Sequence, residues 1–302
     1  MIGSVGKSIL RTLLYSDIFD YPLKESEIRR LLITEDVKTV RLLGVRLTDE
    51  LKDLSSLISQ KKQFYFLRNR DQIVKKRLER EKESSEKLKI AIKVCSKLSR
   101  IPTVQLIAIS GGLAMRNSDR SDDIDLFIIS SNNKLWITRL LLIIFLKFIG
   151  RHRGRQDKNV KDKICLNFLI DESSLSFSKE KQDVYNAHEI VQMLSIFERN
   201  NMYNRFIEGN KWVSEYLPNT VKHRTKPNNT QNYTEFLFSV VLCPVLISSV
   251  FEQISKNIQL WYMKRYQTNE VITDHMLAFH PIDNRKRVLS LYRKKLRKYK
   301  LI

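Results

Sequence analysis

The stretch that most narrows the folds open to this chain runs from Val104 to Ile129, VQLIAISGGLAMRNSDRSDDIDLFII. Val104–Ile109 is a short apolar run, which reads as a strand buried on both faces. Ser110, Gly111 and Gly112 break it with a turn, and Leu113–Arg116 starts a short helix. Asp123–Ile129 (DIDLFII) then reads as a second strand. Residues two apart in a strand share a face, so Asp123 and Asp125 project together while Ile124, Leu126 and Ile128 fill the other side. Crowding two like charges is costly unless a cation neutralises them. An oxygen-only pair suits Mg²⁺, which binds through one or two carboxylates together with phosphate oxygens.

The turn supplies the complementary half of such a site. Glycines let the backbone approach a phosphate closely, and the start of a helix favours anions. Ser110, Gly111 and Gly112 are therefore the candidate phosphate contacts, and Asp123 and Asp125 the candidate metal ligands. A Gly turn followed, after ten intervening residues, by D-h-D on an apolar strand is a far more specific signal than either half alone. Downstream, Asn133–Ile149 reads as an apolar helix, Arg151–Lys163 as a basic loop that could reach a polyphosphate or lie without a partner, and Ile164–Ile170 (ICLNFLI) as a third strand. Strand, helix, strand, helix, strand is the order of a compact α+β unit, a mixed sheet with helices packed on it.

On these residues the segment resembles the signature of the polymerase-beta-like nucleotidyltransferase superfamily, over roughly residues 101–172. GGLAMRN…DDIDL here stands beside the usual GSLAxG…SDIDL, and the minimal and antibiotic nucleotidyltransferases are the members nearest in style. The whole chain, with its tail NIQLWYMKRY…FHP, also resembles bacterial nucleotidyltransferase-domain proteins, which adds no substrate. The resemblance implies that Asp123 and Asp125 hold Mg²⁺, that Gly111 and Gly112 contact the triphosphate of an NTP substrate, and that a nucleoside monophosphate is transferred to an acceptor. Two positions depart from the pattern. Gly112 stands where the family has Ser, and Asn167 stands on the strand where the family has a third carboxylate. Asn167 can coordinate through its carbonyl but cannot act as a base; Asp171 shares its face by parity but lies about 13 Å further along.

The rest of the chain frames this unit. Residues 6–20, Lys24–Leu32 and Leu47–Ile58 read as three helices, and Ser59–Arg70 as a polar turn with a short aromatic strand. Together they resemble a winged helix in pattern, either contacting nucleic acid through Lys61, Lys62, Arg68 and Arg70 or serving as an interaction domain. Asp71–Arg100 reads as a charged, solvent-facing linker helix. From Ser178 the chain reads helical, with Val184–Phe197 and Tyr203–Val213 as candidates, a polar loop at Pro218–Asn232, a long helix over Phe236–Tyr266 bent at Pro244, and a basic tail from Asn284. The expected organisation is a winged-helix-like domain over 1–70, a linker helix over 71–100, a nucleotidyltransferase core over 101–177 and a helical region with a basic tail over 178–302.

Across 302 residues the formal net charge is +21, which favours phosphate-bearing partners without choosing among them. Cys95, Cys165 and Cys243 lack metal spacing and read as buried reduced thiols, as in a cytoplasmic protein. The apolar runs Trp136–Ile149 and Phe236–Phe251 are too short to span a membrane and read as core helices. His188-Glu189 is not a zinc motif; His188 reads as a core histidine, although His188 or Tyr185 would line an acceptor pocket if their helix faced the site. His280-Pro281 reads as a turn, and Trp136, Trp212 and Trp261 as core anchors. Two functions fit: an Mg²⁺-dependent nucleotidyltransferase, or a catalytically degenerate regulator that senses nucleotide or binds nucleic acid through the winged-helix-like segment and the tail.

Overall fold

The computed structural model describes residues 2–34, 47–220, 249–264, 271–279 and 281–302. The expected bend at Pro244, Cys243, most of the polar loop and His280 lie outside the described residues.

The chain begins with α1 (Ser4–Asp17), whose Ile9, Leu10, Leu13 and Leu14 form a fully buried stripe. Next come β1 (Leu23–Lys24), α2 (Glu25–Arg30) and α3 (residues 47–53), then the hairpin β2 (Ile58–Lys61) and β3 (Phe64–Leu67). The first helical run stops at Asp17, where left-handed Asp20 (φ +51°) lets the Tyr21 N–H bond the Ser16 carbonyl at 3.2 Å, and the Glu27 carboxylate accepts from the Lys24 backbone N–H to start α2. The three strands pair antiparallel in the order β1-β3-β2, with the aromatic β3 in the centre.

α4 (Gln72–Leu98) carries the alternating charges, but it is not a solvated rod along its length. Ile73, Val74, Arg77, Ser84, Lys87, Ala91, Val94, Cys95 and Leu98 recur at helical spacing and are buried. Two of its cations are buried because each meets oxygen. Arg77 bonds Glu27 at 2.9 Å and Glu81 at 2.8 Å and lies 3.6 Å over the Tyr21 ring. Lys87 reaches the Asp122 carbonyl at 2.6 Å and the Asp162 carboxylate at 2.8 Å.

Among the described residues the main sheet has six strands, in the order β7 (Leu194–Glu198), β4 (Val104–Ile109), β5 (Ile124–Ser130), β6 (Ile164–Asp171), β9 (Met276–Ala278), β8 (Val271–Ile272). β4 (Val104–Ile109) runs antiparallel to β5 (Ile124–Ser130), and β5 runs parallel to β6 (Ile164–Asp171) through the crossover helix α6 (Leu135–Phe148). The short α5 (Gly111–Ala114) fills the link between β4 and β5. The mixed sheet with helices on it is the expected α+β arrangement.

The sheet is not complete by residue 177. β7 (Leu194–Glu198) pairs with β4, and β8 (Val271–Ile272) and β9 (Met276–Ala278) extend the sheet beyond β6. The expected helix over Val184–Phe197 is therefore shorter: α7 (Val184–Gln192) stops, and LSIFE turns into an edge strand. Its apolar residues match helical spacing only up to Val191; Leu194 and Ile196 then alternate, and the tertiary partner β4 decides for strand. Further along lie α8 (Met202–Gly209), α9 (Val213–Tyr216), α10 (Ser249–Lys264) and α11 (Pro281–Lys298).

The two faces of the sheet are covered differently. α4, α6 and α10 back one face, where Ile107, Ile109, Leu126, Ile128 and Leu169 are buried. The other face joins Leu106, Ala108, Phe127, Ile129 and Ile170 to α7, α8, α11 and the amino-terminal residues in one continuous core. The amino-terminal segment is thus fused to the sheet by shared apolar packing. No described helix is long and apolar enough to cross a membrane.

Candidate metal and phosphate site

Asp123 and Asp125 stand at the start of β5, on the face turned toward α7 and the amino-terminal segment. The loop before them is held by polar contacts. Asp122 accepts from the Asp119 backbone N–H at 2.7 Å, and its own carbonyl is gripped by Lys87 at 2.6 Å. The Ser110 N–H donates to the Asp125 carbonyl at 3.0 Å and so ties the end of β4 to the carboxylate strand.

Gly111 closes the turn with φ +63°, and a Cβ there would lie 3.1 Å from Asp125 Oδ2. Both the left-handed backbone and the close approach call for glycine. Gly112 is not so constrained: its nearest neighbour to a Cβ is the Asn117 carbonyl at 3.5 Å, so the space of a serine is present. Ser110 is buried, and its hydroxyl has no hydrogen-bond partner although it borders the cavity in front of the two aspartates.

A cavity of about 310 Å³ opens before the carboxylates, lined among others by Ser110, Asp123, Asp125, Arg153, Asn167 and Glu189. A second, of about 240 Å³, lies between Gly111, Gly112 and the amino-terminal residues Tyr15, Phe19 and Tyr21. Asp125, Asn167, Tyr185, Glu189 and Asn284 border both. The amino-terminal segment thus forms a wall of the site. Tyr21 Oη donates to the Met115 carbonyl at 2.8 Å, and the Asn117 amide donates to the Phe19 carbonyl at 3.1 Å.

On β6, register decides which residues meet the aspartates. Cys165 lies directly across from Asp125, and one carboxylate oxygen of each aspartate and the Cys165 sulfur all fall within 4.8 Å of one another. The expected partner, Asn167, sits two residues further on. It is the extra residue of a β-bulge: Leu126 pairs with Leu166, but Phe127 pairs with Phe168. Asn167 still borders both cavities, yet the third member of the close cluster is the thiol.

The bulge also reverses the alternation beyond it. Phe168 and Ile170 join the core on the site face, and Leu169 the core on the opposite face. Asp171 therefore leaves the site face, contrary to simple parity. It is buried at the far end of the strand, 3.1 Å from the Asn133 N–H and 2.8 Å from His275 Nδ1.

The basic loop contributes one cation to the cluster. The backbone of residues 151–153 pairs with Ile164 through Ile164 N–H to Arg151 O at 2.7 Å and Arg153 N–H to Ile164 O at 3.0 Å. This places Arg153 Nη1 2.6 Å from Asp123 Oδ2 and 3.4 Å from Cys165 Sγ. The contact to Asp123 is an ion pair without hydrogen-bond alignment, so that oxygen stays unsatisfied as an acceptor.

Electrostatically the site is short of positive charge. Burial, and after it the Asp123 charge, push the Asp125 carboxyl upward. Burial followed by the Asp125 charge raises Glu189 to about 7. Burial and then the two aspartates push the Cys165 thiol upward. Sequence reasoning passed over Cys165 and Glu189. The register of β6 and the facing of α7, which reveal them, are tertiary facts. Tyr185 does line the pocket, whereas His188 does not: it stacks on Tyr15 at 4.0 Å and bonds the Val184 carbonyl at 2.7 Å. Burial takes that imidazole down to about 4, so it is neutral.

No family model, curated protein or solved structure matches this chain.

Proposed function

We propose that this chain is a divalent-cation-dependent nucleotidyltransferase, moving a nucleoside monophosphate from an NTP to an acceptor. What carries the reading is the left-handed Gly111 turn pressed against Asp125, with Asp123 beside it and Ser110, whose buried hydroxyl has no partner, bordering the same cavity. The donor set fits a cation: two carboxylates are crowded together, one of them raised by burial and by its neighbour, and Asp123 Oδ2 has no hydrogen bond. Mg²⁺ is the ion that the carboxylate pair implies, held by Asp123 and Asp125. Bound there, it would neutralise charge on the phosphates and on the carboxylates alike.

The chain's own residues supply positioning. In this reading the Gly111 backbone and the Ser110 hydroxyl meet phosphate oxygens, and Arg153 pairs with phosphate charge. Glu189, half-neutral near pH 7, is the group in the shared cavity suited to take a proton from an acceptor hydroxyl. The amino-terminal order helix, strand, helix, helix, strand, strand supports reading this segment as winged-helix-like. In this reading Lys61, Lys62 and Arg68 contact nucleic acid, together with the basic α11. Arg70 is committed elsewhere, to Asp17 at 2.9 Å and Asp20 at 2.5 Å.

The test is transfer of labelled nucleotide from an NTP to candidate acceptors. Asp123→Asn and Asp125→Asn are each expected to abolish it, and transfer left unchanged by both would remove the assignment. One observation favours a second reading: Arg153 already sits against Asp123 as a cation would. A regulator that binds nucleotide without turnover would show calorimetric NTP binding that needs Arg153 and no divalent ion.

A further inference from the structure

Cys165 changes which ion the site selects. Protonated, the Cys165 thiol donates to the Asp125 carboxylate; deprotonated, it would crowd a third negative charge against the two aspartates, which a cation joining all three would neutralise. Cys165 stands in cross-strand register with Asp125, and its sulfur shares the 4.8 Å cluster with both aspartates. One ion with metal–oxygen and metal–sulfur bonds of about 2.0–2.3 Å sets its ligand atoms roughly 3.5 Å apart, so the 4.8 Å cluster closes on it with side-chain shifts of up to about 1 Å.

Two independent observations mark the same point as wanting a ligand. The Ser110 hydroxyl is buried, borders the cavity and has no partner. A single nitrogen, Arg153 Nη1, touches both Asp123 and Cys165. A positive charge is therefore already drawn to the space between carboxylate and thiol.

Mg²⁺ is a hard ion that prefers oxygen and gives up water reluctantly. Thiolate ligands select zinc and its softer neighbours instead. We infer that the ion of this site is a thiophilic divalent cation of the zinc class, bound by Asp123, Asp125 and Cys165, with Arg153 swinging away as it enters. The inference rests on the proposed nucleotidyl-transfer reading only in placing a cation between the two aspartates.

The full chain, freed of metal, is titrated with Co²⁺ as a spectroscopic stand-in for Zn²⁺, without nucleotide. The expected result is a sulfur-to-cobalt charge-transfer band in the ultraviolet that Zn²⁺ bleaches at far lower concentration than Mg²⁺. Cys165→Ser is expected to lose the band and to weaken Zn²⁺ binding by at least the roughly 10–100-fold seen when a supporting ligand contact is removed. Cys165→Asp, with its fold checked by circular dichroism, is expected to move the preference to Mg²⁺. Co²⁺ bound without a charge-transfer band, with aspartate dependence intact, overturns the thiol ligand and leaves the carboxylate site standing. Absence of Co²⁺ binding, or binding indifferent to Asp123→Asn and Asp125→Asn, overturns the thiophilic site, while the transferase reading is decided separately by the transfer assay with nucleotide present.

Discussion

At the scale of single residues, the site is built from groups that the fold keeps close despite their chemistry. Gly111 is the sharpest case. Gly111→Ala must hold a side chain at φ +63° and 3.1 Å from the Asp125 carboxylate. The left-handed backbone alone costs about 1–2 kcal/mol. Thermal melting should show that loss, and cation affinity should fall with it. Gly112→Ser meets only ordinary contact at 3.5 Å, so its melting temperature should stay within error of the parent.

Glu189 gives a pH test. Its folded value is raised from the ordinary 4.5 to about 7, so the folded state holds a proton that the unfolded chain has released. Stability from this group is therefore lost as pH rises from about 4.5 through 7. Glu189→Gln should raise the melting temperature of the metal-free protein at pH 8 and leave it unchanged at pH 4. An equal effect at both values would rule out the buried charge as the cause. His188 works in the other direction. Its folded value is lowered from 6.5 to about 4, so stability falls as pH drops through that window. Across the window the loss amounts to roughly 3 kcal/mol, and His188→Gln should flatten it in acid denaturation curves.

At the scale of elements, much of the site was legible and one step was not. The strand, glycine turn and D-h-D strand follow from apolar runs and alternation, and the structure has them as β4, the α5 turn and β5. Alternation on β6 misled because it assumes a ladder without extra residues. The bulge at Asn167 moves Asp171 to the other face and leaves Cys165 opposite Asp125. Nothing in ICLNFLI announces that shift, since it depends on how β5 and β9 flank the strand. The strand β7 was hidden for a related reason: a short edge strand after a helix has no periodicity long enough to separate from it.

Helix ends follow the same physics at longer range. Glu252 on α10 accepts from the Trp136 and Ile137 N–H groups at 2.7 and 2.9 Å and so caps α6 from the neighbouring helix on the same face of the sheet. Glu252→Ala should destabilise the protein by about 1–2 kcal/mol in denaturant titration. Glu252→Asp, which keeps the charge with a shorter reach, should recover part of that.

At the scale of the whole molecule, the expected partition at residue 70 does not describe how the core is laid out. Val5, Ile9, Leu13, Leu23 and Leu67 belong to the same buried cluster as Ala108, Phe127, Phe206 and Leu301. Removing residues 1–70 would uncover that cluster, so residues 71–302 alone should aggregate or bind hydrophobic dyes. A well-dispersed, cooperatively melting fragment would show that the two parts are separable. The sequence displayed the amino-terminal helices faithfully; what it could not display is which apolar faces they share with the sheet. Nucleic-acid binding is accordingly tested in the full chain. Lys61→Glu, Lys62→Glu and Arg68→Glu together should weaken it, and binding should fall steeply as salt rises.

The bulge at Asn167 has one more consequence. The ladder on either side of it is complete without this residue, apart from the carbonyl that accepts from the Phe279 N–H at 2.9 Å. Asn167 is a supernumerary position with no partner on β5, and it borders the cavities. Such a position can be rewritten without rethreading the sheet. Of all the residues around the cluster, it is the natural place to install or withdraw a charge and leave the architecture as it stands.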